Sequence, residues 1–392
     1  MQAILTINAG SSTIKFAIFS ITGDQLIKEY IGLIDQILKN PIIQITNCAT
    51  QEKYKHNLEV VDQDPYGSAI SAILNWLNRQ NIELVAAGNR MIHVGTRFKG
   101  ATIVSDETLT YLETLNPLAP LHQPYNIKGC RILLEAFPDL FQVICFDTSF
   151  HTTCNQISQL FAIPQKYAKE GIHRYGFHGL SYEYVVSQFD KYLGAKADGK
   201  VIIMHLGNGS TMCAVHKKRS VATSIGLSAL DGLMMGTRCG SLDAGALLYL
   251  MENHNMNYKE LTHLLYRESG LLGVSGISAD MRDLLASESP NAKLAIDLYI
   301  HHIVHWIGAL SVELKGLDAL VFTAGIGENA AYVREKVCNQ VAWLGVDLDH
   351  EKNARKTVEI SIKNSKVGAY VIPTDEEVTI ARHTFELWKK RV

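Results

Sequence analysis

Two passages far apart in this chain are built to one plan, and that recurrence limits its fold more than any other feature. The apolar run Ala3–Asn8 ends in Gly10-Ser11-Ser12, and Thr13–Ser20 then alternates through Ile14, Phe16 and Ile18 to a turn at Thr22-Gly23-Asp24. The run Val201–Leu206 ends in Gly207-Asn208-Gly209-Ser210-Thr211, and Met212–Val215 follows to the turn Lys217-Lys218-Arg219. Each reads as buried strand, small polar loop, strand. Setting Gly10-Ser11-Ser12 against Gly209-Ser210-Thr211 superposes the two. A further pair is Phe141–Phe146, ending in Asp147-Thr148, and Ala319–Phe322, ending in Thr323-Ala324-Gly325-Ile326-Gly327-Glu328-Asn329. The pattern is that of an αβ unit of about 190 residues used twice; chance recurrence of strand–turn units is the alternative on pattern alone.

At 392 residues the chain exceeds the roughly 250–300 at which single cores stop growing, so two domains are expected, divided near residue 150. Helical periodicity covers Pro65–Arg79, Asp106–Leu115, Tyr125–Phe137, Ser181–Leu193, Ser241–Asn253, Tyr258–Glu268, Asn291–Leu314, Ala330–Val341 and Glu376–Lys390. Thr374 or Asp375 can cap the last, with Glu376 and Glu377 in its dipole-matched first turn. Strands alternating with helices predict an α/β fold.

Lys plus Arg number 37 and Asp plus Glu 39, so no broad field draws the chain to nucleic acid or an anionic membrane, although a local basic pocket is allowed. The N-terminus lacks the signature of a secretory signal. Leu294–Leu314 is broken by Asp297, three histidines and Glu313, and reads as a buried helix rather than a membrane span. Seven cysteines with no C-x-x-C predict reduced thiols in a cytoplasm.

The chemistry must then lie in a few residues. Asn8–Lys15 offers small residues, hydroxyls and a lysine straight after a strand, a turn able to cradle phosphate or simply to close a hairpin. Gly207–Thr211 repeats that chemistry, and two such loops suit a nucleotide better than either alone. Thr323–Asn329 has glycines that let backbone approach a ligand, but lacks the third glycine of a dinucleotide fingerprint. Gly194–Lys200 mimics a P-loop, but Val201 replaces the required hydroxyl and a strand follows, so it reads as a surface turn. Arg238 in Leu233–Gly240 and Arg90 in Ala87–His93 are lone cations in apolar surroundings, each needing an anion: a structural carboxylate or a ligand. His178, between Phe177 and Gly179, and His122, between Leu121 and Gln123, sit in loop contexts. His301, His302 and His305 read as structural. Asp147 at a strand end, Glu376 and Glu377 are candidate metal or base carboxylates.

Together these motifs resemble the acetate kinase family of the sugar kinase, Hsp70 and actin superfamily. The resemblance runs end to end through Asn8–Lys15, Arg90–Phe98, Ala119–His122, Phe146–His151, Arg174–Gly179, His205–Gly209, Gly232–Gly240, Asp280–Leu284, Phe322–Asn329 and Pro373–Ala381. It implies two duplicated ribonuclease H-like (actin-like ATPase) domains with a nucleotide cleft between them. The first would span 1–150, with helix 376–392 packing back on it. The second, 151–375, would carry most of the nucleotide site. It implies reversible phosphoryl transfer from ATP to acetate, giving acetyl phosphate and ADP, with Mg²⁺ (or Mn²⁺), in a cytoplasmic homodimer.

By resemblance, Asn8 and Glu376 organise the metal. Arg90 and Arg238 flank the carboxylate and the phosphoryl group. His178 stabilises the transition state, His122 supports it, and Asp147 lies near metal and substrate. Lys15, Ser11, Ser12, Thr13, His205, Asn208 and Gly209 address phosphates. Asp280, Met281, Arg282, Gly325, Gly327 and Asn329 line the adenosine side, and Ile92, Leu121, Phe177 and Ala229 receive the substrate methyl. The chain departs from the family pattern at Val94 (usually Gly), Thr96 (Glu), Ala222 (Asp), Leu227 (Phe), Ala229 (Pro), Ala324 (Gly) and Gln123 (Asn). A propionate kinase, or a nucleotide-binding homologue weakened by Val94 and Thr96, are the alternatives. A sugar kinase is disfavoured, because paired arginines around a small apolar pocket suit a carboxylate better than a polyol.

Overall fold

The computed structural model describes residues 1–10, 12–58, 64–119 and 122–391. The chain divides into two units, Met1–Ser149 with Asp375–Val392, and Phe150–Thr374.

Unit 1 is built on β1 (Gln2–Ala9), β2 (Ile14–Thr22), β3 (Gln25–Asp35), β4 (Ile42–Asn47), β5 (Lys53–Asn57), β6 (Glu83–Met91), β7 (Thr102–Ile103) and β8 (Phe141–Phe146). These form one sheet in the order β5-β4-β3-β2-β1-β6-β8-β7. β1, β2 and β3 run antiparallel in sequence, whereas β6 lies parallel to β1, and β8 parallel to β6. Unit 2 uses β9 (Lys200–Leu206), β10 (Ser210–His216), β11 (Arg219–Thr223), β12 (Ala319–Thr323) and β13 (Gly368–Val371). Its sheet has the order β11-β10-β9-β12-β13, again with an antiparallel meander followed by two parallel strands. The five-strand arrangement is the same in both units, so the α/β duplication is visible in topology.

The topology corrects two details of the sequence alignment. Within the shared five-strand order, Ala319–Thr323 stands fourth and Phe141–Phe146 fifth, so their counterparts are β6 and β13 respectively. β8 and β12 are both wholly buried apolar runs, whereas β6 ends in Gly88-Asn89-Arg90 and looks less like a central strand. The hairpin ladders close at Ala9 opposite Ile14 and Leu206 opposite Ser210, which matches Gly10 with Gly207 rather than with Gly209.

Helices complete the two layers. Helix Pro290–Leu314 buries Ile296, Tyr299, Ile300, Ile303, Ile307 and Leu310 on one stripe, and exposes His301 and His305. The periodic run from Ser181 is two helices, Gly179–Ser187 and Phe189–Tyr192. The segment after β12 is itself helical, Ala324–Asn329, rather than a loop. The C-terminal helix Glu376–Lys389 belongs to unit 1, and Asp375 caps it by accepting from the Val378 N–H at 3.2 Å. It approaches β6 at Gly88, where a Cβ would collide with Ile380 and Thr384. Among the described residues no helix is long and apolar enough to cross a membrane, and all seven cysteines are free.

Candidate active site

In unit 1, parallel strands deliver polar side chains at their carboxyl ends, the edge where open α/β sheets hold ligands. Asn8 and Arg90 each lie one residue from the ends of β1 and β6, Asp147 follows β8, and Glu376 opens the C-terminal helix. Arg90 joins them. Its Nη1 donates to Asn8 Oδ1 at 3.1 Å, its Nη2 pairs with Asp147 Oδ2, and its Nε lies 3.9 Å from Glu376 Oε2. Asp147 is only 1% exposed. Burial pushes its carboxyl up against the opposing pull of Arg90. Burial also lifts Glu376 to about 7; Asp147 and Glu377 add to the rise, and Arg90 and Lys15 oppose it.

Asp147 Oδ1 is buried and accepts no hydrogen bond among the described residues. A buried carboxylate oxygen without a donor fits a cation. Asn8 and Glu376 add an amide oxygen and a carboxylate, a hard-oxygen set suited to Mg²⁺. Among the described residues no three His, Cys, Asp or Glu side chains form a metal cage of their own. That matches an ion which takes one or two carboxylates and completes its shell with phosphate and water.

The neighbouring loop is more occupied than its composition suggests. Gly10 N–H donates to Thr13 O at 2.7 Å, and Gly10 O accepts from Tyr66 Oη at 2.9 Å. Lys15 is exposed on β2 opposite Asn8, and Ser12 is exposed. Ser11 and Leu121 lie outside the described residues. His122 is the N-cap residue of helix Gln123–Ala136. Ile92 is buried, and His93 N–H donates to Gln123 Oε1 at 3.1 Å. Val94 packs with Met91, Leu109, Leu112, Ile127, Ile144 and Phe146, so the branched side chain is absorbed into a core. Thr96 is exposed, and its N–H donates to Tyr111 Oη at 3.0 Å.

In unit 2, His178 holds a left-handed backbone (φ 56°) and caps helix Gly179–Ser187. Its ring stacks on His205 with centroids 4.0 Å apart, and its Nδ1 lies 2.9 Å from Thr211 Oγ1. Arg238 points to the same place. A Cβ on Gly209 would stand 2.9 Å from Arg238 Nη2 and 3.5 Å from His178 Nε2, so both groups face this glycine and a side chain there would crowd Arg238. Arg238 Nη1 donates to Ala229 O at 2.8 Å, and among the described residues Arg238 makes no ion pair. Burial pushes its guanidinium down. A largely desolvated cation without a counter-ion is a receptor for an anion. Arg90, by contrast, already has its carboxylates.

The remaining unit 2 candidates divide. Asn208 O accepts from Gly236 N–H at 3.1 Å, which ties the phosphate-type loop to the Arg238 segment. Asp280 caps helix Met281–Leu285 and is bound by Arg282 Nη2 at 2.6 Å, which holds its carboxyl at about 2. Met281 is buried in the core. Asn329 Nδ2 donates to Gly325 O at 2.8 Å and its Oδ1 accepts from Lys356 Nζ at 2.6 Å. Phe177 is buried and Ala229 half-buried.

Three supporting residues escape a reading of the sequence. Arg334 is fully buried with no ion pair among the described residues; it donates to the carbonyls of Gly327 and Glu328, each at 2.9 Å, and to Asn353 Oδ1 at 2.7 Å. It thereby closes the carbonyl end of helix Ala324–Asn329, and its only sequence signal is a cation beside Val333. His151, at the end of the Phe146–His151 stretch, and Tyr182, between Ser181 and Glu183, carry no local signal of the bonds they make.

The acetokinase family model matches residues 3–382. The chain is 46% identical to an acetate kinase of Methylocella silvestris, over 98% of both chains. It is 42% identical to an acetate kinase of Rickettsia akari, over 98% of this chain and 99% of that one. A propionate kinase of Francisella tularensis superposes with a TM-score of 0.91 at 36% identity, covering 98% of this chain and all of the other. An acetate kinase of Porphyromonas gingivalis gives 0.88 at 33% identity, covering 99% and 100%.

Proposed function

The chain belongs to the acetokinase family and has the actin-like ATPase fold, and on that footing we propose that it is an acetate kinase. An acetate oxygen attacks the γ-phosphorus of ATP. Its lone pair makes the new P–O bond while the bond to the β,γ-bridging oxygen breaks, and that electron pair leaves on ADP. Acetate is already ionised at pH 7, so no general base is required. Catalysis reduces to positioning and to neutralising charge on the transferring group.

The observation that carries this reading is the guanidinium of Arg238, largely buried, without an ion pair among the described residues and facing Gly209 together with His178. Arg238 receives the phosphoryl oxygens and His178 donates to them, while Asn208 and Gly209 address the neighbouring phosphates. Arg90, fixed by Asp147, steers the carboxylate, and the buried Ile92 of the same unit faces its methyl group. Asn8 and Glu376 would hold Mg²⁺, with Asp147 Oδ1 close by. When bound, that ion supplies charge neutralisation on the phosphates. Unit 1 thus takes the metal and acyl side, and unit 2 most of the nucleotide.

The same reading includes a cytoplasmic setting, in keeping with seven free thiols, and a homodimer. Helix Ala244–Asn253 buries no residue and exposes Leu248, Tyr249 and Met251, an apolar face that a second copy would cover. Light scattering tests that part.

Propionate is the second candidate acceptor, favoured by the likeness to the Francisella propionate kinase. A hydroxamate assay with ATP, Mg²⁺ and acetate, propionate or butyrate decides between them. The reading expects acyl phosphate from acetate first. Product no greater than that of Arg238→Ala would sink it.

A further inference from the structure

We propose that Tyr182 and Thr211 are positioning residues for His178, a hydroxyl relay that keeps its imidazole neutral with the proton on Nε2. This rests on the role of His178 argued above and names what sets that residue's state.

The relay follows from counting protons. Thr211, second residue of β10, has one hydroxyl proton and two hydrogen-bond neighbours: His178 Nδ1 at 2.9 Å and Tyr182 Oη at 2.5 Å. Tyr182 lies one turn beyond His178 on the same helix, is fully buried, and has Thr211 as its hydrogen-bond partner. A buried phenol O–H left without an acceptor is costly, so Tyr182 donates to Thr211 Oγ1. The Thr211 proton is then committed to His178 Nδ1. A nitrogen that accepts is deprotonated, which puts the ring proton on Nε2, the ring nitrogen on the Gly209 side.

Protonating His178 would require Nδ1 to donate instead. Thr211 would then accept from both neighbours, and its own hydroxyl proton would be left without an acceptor among the described residues. Other groups push the same way. The ring stacks on His205, whose Nδ1 is 2.8 Å from Ser181 Oγ, and Arg238 faces the same glycine. A second cation beside Arg238 would meet like-charge repulsion. The titratable and charged groups facing the ring thus include His205 on β9, Tyr182 on its own helix and Arg238. The neutral Nε2–H tautomer can donate to a phosphoryl oxygen without adding charge beside Arg238.

The test uses Tyr182→Phe, Thr211→Val and Thr211→Ser in the full chain, each checked for an unchanged thermal midpoint or for nucleotide binding. Tyr182→Phe and Thr211→Val should lower kcat roughly ten- to a hundred-fold, with KM for ATP and acetate within about two-fold. Their acid limb of kcat against pH should move upward, because the ring becomes easier to protonate. Thr211→Ser should restore both kcat and the limb. Ring ¹⁵N shifts of histidine should show the Nε2–H tautomer in the native chain and its loss in Tyr182→Phe. In a His178→Ala background, Tyr182→Phe should have no further effect. An undiminished loss there, or an unmoved pH limb with failed serine rescue, would overturn the relay in favour of simple packing. If His178→Ala itself turns over normally, the role of His178 fails, a result distinct from failure of the relay.

Discussion

The Nε2–H of His151 donates to the carbonyl of Phe177 across 3.0 Å, one residue before the left-handed His178. Its other ring nitrogen, Nδ1, accepts from Ser220 Oγ at 2.9 Å. A fully satisfied buried imidazole therefore holds the loop that presents His178, and its burial favours the neutral form.

That sets a pH dependence. Burial pulls His151 down to about 4, whereas an unfolded histidine titrates near 6.5. The folded state binds fewer protons here, so this stability is fully present above about pH 6.5 and is lost as pH falls towards 4. The loss amounts to about 3 kcal/mol at its limit. His151→Gln keeps a donor without the titration. Chemical unfolding between pH 7 and 4 should show a steeper decline in the native chain than in the variant. Parallel curves would contradict the assignment.

Arg238 and Asp147 should separate activity from stability. Arg238→Ala removes a desolvated cation with no counter-ion, so the thermal midpoint should hold or rise while kcat falls about 10²–10³-fold. Arg238→Lys should not rescue, since one ammonium cannot serve both the Ala229 carbonyl and a ligand in a forked geometry.

Asp147→Asn strands Arg90 in a largely buried setting and should destabilise unit 1 by about 3–5 kcal/mol, read as an earlier unfolding step in calorimetry. Arg238→Ala as unstable as Asp147→Asn would mean that Arg238 has a structural partner after all.

What could be read from the sequence follows a physical divide. Apolar runs ending in Gly, Ser and Asn turns mark strands and loops locally, so the α/β class and both hairpins were legible. The parallel strands were harder, because order in a parallel sheet is set by distant crossovers. β6 carries Asn89 and Arg90 on an otherwise central strand, and the pairing of β8 with β12 failed for that reason. Arg90 and Arg238 stood out as cations needing anions, but only coordinates separate the paired Arg90 from the unpaired Arg238. Thr211 closes the Gly207–Thr211 loop and Tyr182 lies between Ser181 and Glu183, but no spacing in the sequence links the two. Their meaning comes from one hydrogen bond across 29 residues.

Ala324 should respond to substitution in the opposite sense from most buried sites. It begins helix Ala324–Asn329 at φ 64°, in the left-handed region where a Cβ crowds the following carbonyl. Glu328 stabilises the turn, with its Oε1 accepting from Ala324 N–H at 2.9 Å and from Thr374 N–H at 3.3 Å. Glycine would adopt the same backbone without the steric term, against a greater entropy loss on folding. The balance favours Ala324→Gly by about 0.5–1 kcal/mol, read as a higher midpoint for unit 2 in calorimetry. Because Asn329 and Gly325 hydrogen-bond within this helix, nucleotide affinity should stay the same or tighten. A lower midpoint would show that the methyl group of Ala324 packs more favourably than its backbone is strained.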